Sequence, residues 1–387
     1  MIFLDINTFF SPKAGGIRTY HNAKIEWFRK HPEHDYFLVY PGAARKRMQP
    51  APNVTLIEGY GPALTRDPSG YRLLLDYFLV FLQIRRIRPD VLEAGDPWLT
   101  GLFCLFLKKS GLFKGLLVSF YHSDPVPSYF EPWAARGALQ VLRRSLIALA
   151  AGAFYRFQRG YDLTVVSSQI METRLRSKGV RAIAHLPFGT PSIFMRADPD
   201  WLAGRGPGRG QVRILYVGRL DPEKGIDLLL EALPSLLRQP HVSVTVIGRG
   251  RMAPRFAAFR HARFSFPGFI EDTAKVLEIY DSHHVLAAPG PYETFGLGVL
   301  EAMARGLVVV GPDAGGTAEL LRQARSPFIF KMGDGGDFLR ALDAAIACDW
   351  AAETSRSRAL ALRYGSWDDS IGRMVDRYSA RLGRKSA

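Results

Sequence analysis

Pro289-Gly290-Pro291-Tyr292-Glu293-Thr294-Phe295-Gly296-Leu297-Gly298-Val299-Leu300-Glu301-Ala302-Met303-Ala304 follows the apolar run at 285–288 and reads as a strand, a loop and a helix. Gly296 and Gly298 let the backbone approach a ligand closely. A helix N-terminus there offers N–H groups and the positive end of a dipole, both suited to phosphate. Glu293 falls in the loop, and the spacing puts Glu301 about two turns into the helix, on one side of it. Carboxylates repel phosphate but accept hydrogen bonds from sugar hydroxyls. One glutamate for a hexose, one for a ribose and amides between them for a diphosphate describe a nucleotide-sugar site. The plainer reading is an acidic residue favouring the helix dipole, with the second glutamate incidental.

Outward from this segment, short apolar runs alternate with amphipathic stretches. Runs at 2–6, 36–39, 54–57, 91–93, 116–120 and 163–166 read as buried strands, with helical spacing over 17–30 and 71–86. A second series begins at 212–217 and continues at 242–247, 285–288, 307–310 and 328–330. The alternation predicts an α/β fold with two parallel sheets covered by helices. Between the series the chain turns rich in Pro, Gly and Arg, clearest at Gly204-Arg205-Gly206-Pro207-Gly208-Arg209-Gly210. The expected organisation is therefore two Rossmann-like domains at 1–190 and 211–365, a linker at 191–210, and a C-terminal helix at 366–387 that crosses back to the first domain. Open α/β sheets bind ligands beyond the carboxyl ends of their strands, so the site is expected in the cleft between the domains.

Three further motifs lie at such ends. Val217-Gly218-Arg219-Leu220-Asp221-Pro222-Glu223-Lys224-Gly225 places Arg219 and Lys224 around a turn, where two cations neutralise a diphosphate without a metal. Two solvated surface cations are the alternative. Ser11-Pro12-Lys13-Ala14-Gly15-Gly16-Ile17 joins the first strand to the first helix, and any tight turn uses such glycines. Lys13 and Arg18 beside it favour an anionic ligand. Phe120-Tyr121-His122-Ser123-Asp124-Pro125 ends a strand with a histidine beside an aspartate. A lone histidine is otherwise a packed or surface residue.

The Glu293-x7-Glu301 spacing and the order of these motifs resemble the retaining glycosyltransferases of family 4, which have the GT-B fold. The resemblance implies two Rossmann-like domains facing across a cleft. It implies that Arg219 and Lys224 hold the donor diphosphate and that Glu301 holds the ribose. Glu293 would hold the sugar hydroxyls, with Phe295, Gly296 and Leu297 beside the donor. Gly15 and Gly16 would close the opposite wall, and His122 would sit by the reacting sugar, positioning it rather than acting as a base. Gly315, Gly316 and Glu319 match a Gly-Gly-x-x-Glu segment with a structural role. Three positions depart from the pattern: Arg249 where an acidic residue is common, Phe188 in place of Asn, and Leu307 where Pro often stands. They weaken any assignment of base or sugar.

The implied function is transfer of a hexose from a UDP- or GDP-linked donor to a hydroxyl of a membrane lipid, lipid-linked or saccharide acceptor in bacterial glycolipid or polysaccharide synthesis. No metal and no pyridoxal phosphate are expected. Asp198-Pro199-Asp200 is formally a DxD metal motif, but in Pro-rich surroundings it reads as a solvated turn. The alternatives are a nucleotide-sugar epimerase of the same fold and a non-catalytic, basic anion-binding protein on a transferase scaffold.

Among the 387 residues, 51 basic and 36 acidic side chains leave +15. Residues 1–190 hold 25 basic and 14 acidic ones, a net of +11, so the first domain is the one expected to meet an anion. The Lys108-Lys109 and Lys114 cluster and the stretch 129–161, where Arg136, Arg143, Arg144, Arg156 and Arg159 interrupt leucines and phenylalanines, suit an anionic bilayer. The competing reading packs that apolar face on the sheet. Nucleic acid is disfavoured, because no binding motif for it occurs. Two distant cysteines, Cys104 and Cys348, fit a reducing cytoplasm. No signal peptide and no apolar run of ~18 residues is read, so the expectation is a cytoplasmic protein, peripheral on the inner face of the membrane.

Overall fold

A computed structural model describes residues 1–10, 15–64, 70–96, 99–122, 140–195, 206–207 and 210–383, with the backbone alone over 140–144. Lys13, Asp124, Arg136, Asp198 and Asp200 lie outside the described residues, and Arg143 and Arg144 are described in backbone only. The chain divides into two compact units, Met1–Pro187 with Asp368–Ala387, and Phe188–Trp367.

The first unit is built on an eight-stranded sheet. Its strands are β1 (Ile2–Ile6), β3 (Asp35–Gly42), β4 (Lys46–Ala51), β5 (Val54–Tyr60), β7 (Val91–Ala94), β8 (Leu116–Phe120), β9 (Leu163–Val166) and β10 (Ile183–His185), in the order β10-β9-β8-β7-β1-β3-β5-β4. All neighbours pair in parallel except β4, which runs antiparallel to β5 at the edge. A short antiparallel pair, β2 (Phe9–Phe10) with β6 (Arg72–Leu73), stands apart. One face of the sheet carries α2 (Tyr77–Ile87) and α3 (Leu99–Lys109), whose Val80, Ile84, Cys104, Leu105 and Leu107 form one core with Leu4, Ile6, Leu92, Ala94 and Leu117. The expected helix over 71–86 starts late. Arg72 and Leu73 pair with Phe9 and Phe10, and the Asp76 carboxylate caps the helix by accepting the Leu79 N–H at 3.2 Å.

The opposite face carries α1 (Gly16–Lys30) and the C-terminal helix, which runs over Trp367–Arg381 and from Asp368 onward belongs to this unit. Beneath them lies a buried ionic network. Asp5 and Glu93 are register partners on β1 and β7. The Lys24 ammonium of α1 reaches Asp5 Oδ2 at 2.5 Å and Glu93 Oε2 at 3.3 Å, all three side chains being closed to solvent. Glu93 also accepts hydrogen bonds from the hydroxyls of Tyr20 at 2.8 Å and, from the C-terminal helix, Tyr378 at 2.9 Å. Burial raises both carboxyls. At Asp5 the Lys24 charge and His21 outweigh it and hold the group low, whereas Glu93, burdened also by Asp5, is pushed up to about 7.

The second unit has a six-stranded parallel sheet. Its strands are β11 (Val212–Val217), β12 (Val242–Ile247), β13 (Phe264–Gly268), β14 (Val285–Ala287), β15 (Val308–Pro312) and β16 (Ile329–Phe330), ordered β13-β12-β11-β14-β15-β16. The helix over Ile226–Arg238 buries Ile226, Leu229, Leu233, Leu236 and Leu237, a spacing of three and four residues that makes one apolar stripe against β12. Sheet order places the loops after β11, β14 and β15 side by side at the carboxyl edge, because β14 lies between the other two.

Candidate active site

In the second unit, the turn after β11 and the loop after β14 converge. Gly225 has φ +62°, and a β-carbon there would stand 2.5 Å from the Pro289 carbonyl oxygen. Only glycine allows so close an approach with that backbone. The approach brings Lys224 Nζ to 2.6 Å from Glu293 Oε1 across 69 residues of sequence. Arg219 lies in the same group but turns elsewhere. Its guanidinium pairs with Asp221 at 2.5 Å and Glu223 at 2.8 Å, and both carboxylates are shared with Arg251 at 3.2 and 3.1 Å. Tyr216 underlies the cluster and donates to the Arg219 carbonyl at 2.7 Å. Burial, and next the Glu293 charge, hold its hydroxyl far above the ordinary tyrosine range.

The loop ends on a helix over Leu297–Ala304 whose N-cap is Gly296, at φ 96° and with no side-chain cap. Glu301 therefore sits little more than one turn into the helix, not two. The helix begins at Leu297 because the loop through Phe295 is spoken for. Phe295 is buried against Phe188 and Tyr364, with ring centroids 5.3 and 5.6 Å away, so its side chain is core and only its main chain can face a ligand. The unusual Phe188 thus fills space behind the loop. Gly315 and Gly316 brace the loop from the other side. The Gly316 N–H donates to the Glu293 carbonyl at 2.6 Å, and a β-carbon on Gly315 would meet that same oxygen at 2.7 Å. Arg249 lays its guanidinium over the Phe269 ring, 4.1 Å from its centroid, at the glycine turn after β12.

Glu301 is half-buried beside Tyr280, a fully buried tyrosine that lowers its carboxyl's pKa less than burial raises it. Desolvation pushes its carboxyl from 4.5 to about 7. A carboxyl raised in the folded state contributes stability that is present at acid pH and lost as pH rises through about 7. The loss is at most about 3 kcal/mol. Thermal or urea unfolding of wild type and Glu301→Gln at pH 5 and pH 8 measures it. The expected result is that the variant gains on the wild type between the two pH values, and equal shifts for both would remove this account of Glu301.

In the first unit, Gly15 is the N-cap of α1 at φ 104°, where a β-carbon would stand 2.7 Å from the Tyr71 hydroxyl. His122 follows β8. Its ring stacks on Phe120 at 4.3 Å and meets the edge of Tyr20, on the first turns of α1, at 4.9 Å. Tyr20 thereby joins the Gly15-Gly16 turn to His122. Desolvation, then the buried neighbours His21 and Lys24, lower His122 to about 3, so its imidazole is neutral at physiological pH. Asp221, Glu223, Arg251, Tyr280 and Tyr20 were not singled out from sequence. Tyr280 and Tyr20 sit at core spacing in helices, and Asp221 and Glu223 lie between the two cations of the turn with no spacing that marks them.

Residues 211–347 match the family Glycosyl transferases group 1, a stretch that contains both convergent loops. The fold is also that of solved glycosyltransferases. Sucrose-phosphate synthase from Thermosynechococcus elongatus aligns over 99% of this chain and 100% of its own, with TM-score 0.73 and 18% identity. The chain has the GT-B fold of glycosyltransferases. The Anabaena protein HepE, solved in complex with UDP-glucose, shares this GT-B fold at TM-score 0.68 and 17% identity, over 98% of this chain and 100% of its own. A GDP-mannose-dependent alpha-(1-6)-phosphatidylinositol dimannoside mannosyltransferase of Mycobacterium tuberculosis is 24% identical over 83% of this chain and 82% of its own. A GDP-mannose-dependent alpha-mannosyltransferase of the same species is 26% identical over 84% of this chain and 81% of its own.

Proposed function

We propose that the protein is a retaining hexosyltransferase that takes its sugar from a UDP- or GDP-linked donor, without a metal, and delivers it to a hydroxyl of a lipid, lipid-linked or saccharide acceptor. The Lys224–Glu293 pair beside the uncapped N-terminus of the Leu297–Ala304 helix carries the reading. It sets a cation and amide donors for a diphosphate next to a carboxylate for sugar hydroxyls. Arg219 is the second cation, and binding exchanges part of its pairing with Asp221 and Glu223 for phosphate oxygens. Glu301, steadied by Tyr280, takes the ribose hydroxyls.

In the transfer, the bond from the anomeric carbon to the diphosphate oxygen breaks and the acceptor oxygen bonds to the same face of the sugar. The acceptor proton passes to the leaving diphosphate oxygen. Neutral His122 contributes a hydrogen bond rather than a charge, which suits placing a sugar hydroxyl. Gly15 and Gly16 allow close approach of donor or acceptor. The names of the mycobacterial relatives make GDP-mannose the first donor to try, and the first of them favours a lipid acceptor in a bacterium.

The test is a panel of UDP-, GDP- and ADP-sugars incubated with the protein and a bacterial lipid extract, with and without EDTA. New glycolipid from one donor, undiminished by EDTA and with the anomeric configuration kept, is the expected result. Inversion, or full loss in EDTA, sinks the corresponding part of the proposal. Interconversion of the donor to its epimer without transfer sinks the whole of it.

A further inference from the structure

The helices α2 and α3 lie next to each other on one face of the first unit's sheet. The Tyr77 ring is 5.2 Å from that of Phe103, and its hydroxyl is 3.3 Å from that of Thr100. Both follow and precede parallel strands, so they run in the same direction. Each turns a second apolar stripe away from the core. On α2 the outward residues are Phe78, 67% exposed, and Leu82, one turn on. On α3 they are Leu99, Leu102 and Phe106, the last 62% exposed. Single exposed apolar side chains are ordinary, but two adjacent stripes are not.

The charges in the same two helices are of one sign. Neither α2 nor α3 contains an acidic residue, and their last turns carry Arg85 and Arg86, and Lys108 and Lys109. The next described helix, Gln140–Gln158, repeats the pattern, with Leu146 and Leu149 exposed ahead of Arg156. Asp76 caps the start of α2 and Lys108 pairs with Asp162 at 2.6 Å, which leaves Arg85, Arg86 and Lys109 as the cations beside the apolar strip. Such a strip matches a lipid surface with anionic headgroups, where side chains enter the acyl boundary and cations meet phosphate.

We propose that the outer face of α2 and α3 is the surface by which this protein lies on an anionic bilayer. Their N-terminal ends, with Phe78 and Leu99, lie toward the carboxyl edge of the sheet, the edge at which Gly15 and His122 stand. Docking by this face therefore holds that edge of the unit near the membrane. The inference rests on the membrane-borne acceptor of the proposed function, and it names the contact.

The test is sedimentation of the full chain with phosphatidylcholine vesicles and with vesicles in which part of that lipid is replaced by phosphatidylglycerol, at low and high salt. The wild type is expected to bind the anionic vesicles, less so at high salt. Phe78→Glu with Phe106→Glu should lower the partition at least about tenfold, since two large apolar side chains are removed from the acyl boundary. Arg85→Gln, Arg86→Gln and Lys109→Gln together should abolish the preference for phosphatidylglycerol. Should the glutamate pair lower the melting temperature, Leu82→Gln with Leu102→Gln takes its place. Wild type that stays in the supernatant overturns the proposal, as does binding untouched by the apolar variants. So does a dimer in light scattering that the same variants convert to monomer, because a second copy then covers the face. Transfer to detergent-solubilised acceptor, followed in the same samples, separates the two readings. Lost vesicle binding with transfer intact removes this surface alone, and vesicle binding without transfer to any acceptor removes the transferase reading alone.

Discussion

Glu293→Ala is expected to lower sugar transfer at least about a thousandfold, the scale of losing a charged group that acts at the developing transition state. The structural reason is that Glu293 is doubly placed. Its main-chain carbonyl is fixed by the Gly316 N–H, and its carboxylate by the Lys224 ammonium, so the side chain cannot be replaced by a neighbour that happens to be near. Removing it also frees Lys224 to move toward the diphosphate alone, which would tighten nucleotide binding while transfer fails. The fold should hardly notice. The pair is partly exposed, 25% and 33%, and such pairs are worth about 1 kcal/mol or less. Glu293→Gln keeps the shape and should recover only a small part of the activity. Initial rates, nucleotide affinity and melting temperature measured together decide the matter. Turnover within tenfold of wild type would remove Glu293 from the site, and a collapsed melting temperature would make its role structural.

Lys24→Met should destabilise the protein by about 3–5 kcal/mol, because it leaves two buried carboxylates facing each other without a counter-charge. Asp5 and Glu93 are partners on adjacent strands, and Lys24 is the cation between them. The loss is expected in urea unfolding at neutral pH, and it should shrink at lower pH as the carboxyls take up protons. Adding Asp5→Asn and Glu93→Gln should restore most of the stability, since an apolar side chain then meets neutral neighbours. A single variant as stable as wild type would mean that water reaches the network. The triple variant tests a second point. Glu93 accepts from Tyr20, which abuts His122, and from Tyr378 in the C-terminal helix, so the network ties a candidate site residue to the end of the chain.

The strands of both sheets could be read from sequence because a central parallel strand is apolar on both faces and short, a local property. The runs at 2–6, 116–120, 163–166, 212–217 and 242–247 coincide with strands to the residue. The edge strands β4, β10 and β13 were not read, although the edge strand β16 falls within the run at 328–330. β4 carries Lys46, Arg47 and Gln49 because its sides face water, and nothing in such a stretch distinguishes it from a loop. The start of α2 was misplaced for a similar reason. Apolar spacing continues back to Tyr71, while the boundary is set by Asp76 capping and by Arg72-Leu73 pairing with a strand sixty residues earlier.

By itself, the sequence determined the α/β class, the alternation of strand and helix in two series, and the glycine and charge motifs at strand ends. These follow from the side-chain periods of strands and helices and from the backbone demands of turns, which act over a few residues. Only the tertiary structure decided which charges meet. Lys24, at an ordinary helical position, became the centre of a buried network. Lys224 came to Glu293 rather than to Arg219, and Arg219 to two carboxylates of its own turn. It also decided which apolar residues are covered. Val80 and Phe78 sit two positions apart in one helix, and one is wholly buried while the other is exposed. Both outcomes depend on what the rest of the chain packs against a side chain, since burial and pairing set the cost of charge and apolar surface, and no short stretch of sequence contains that information.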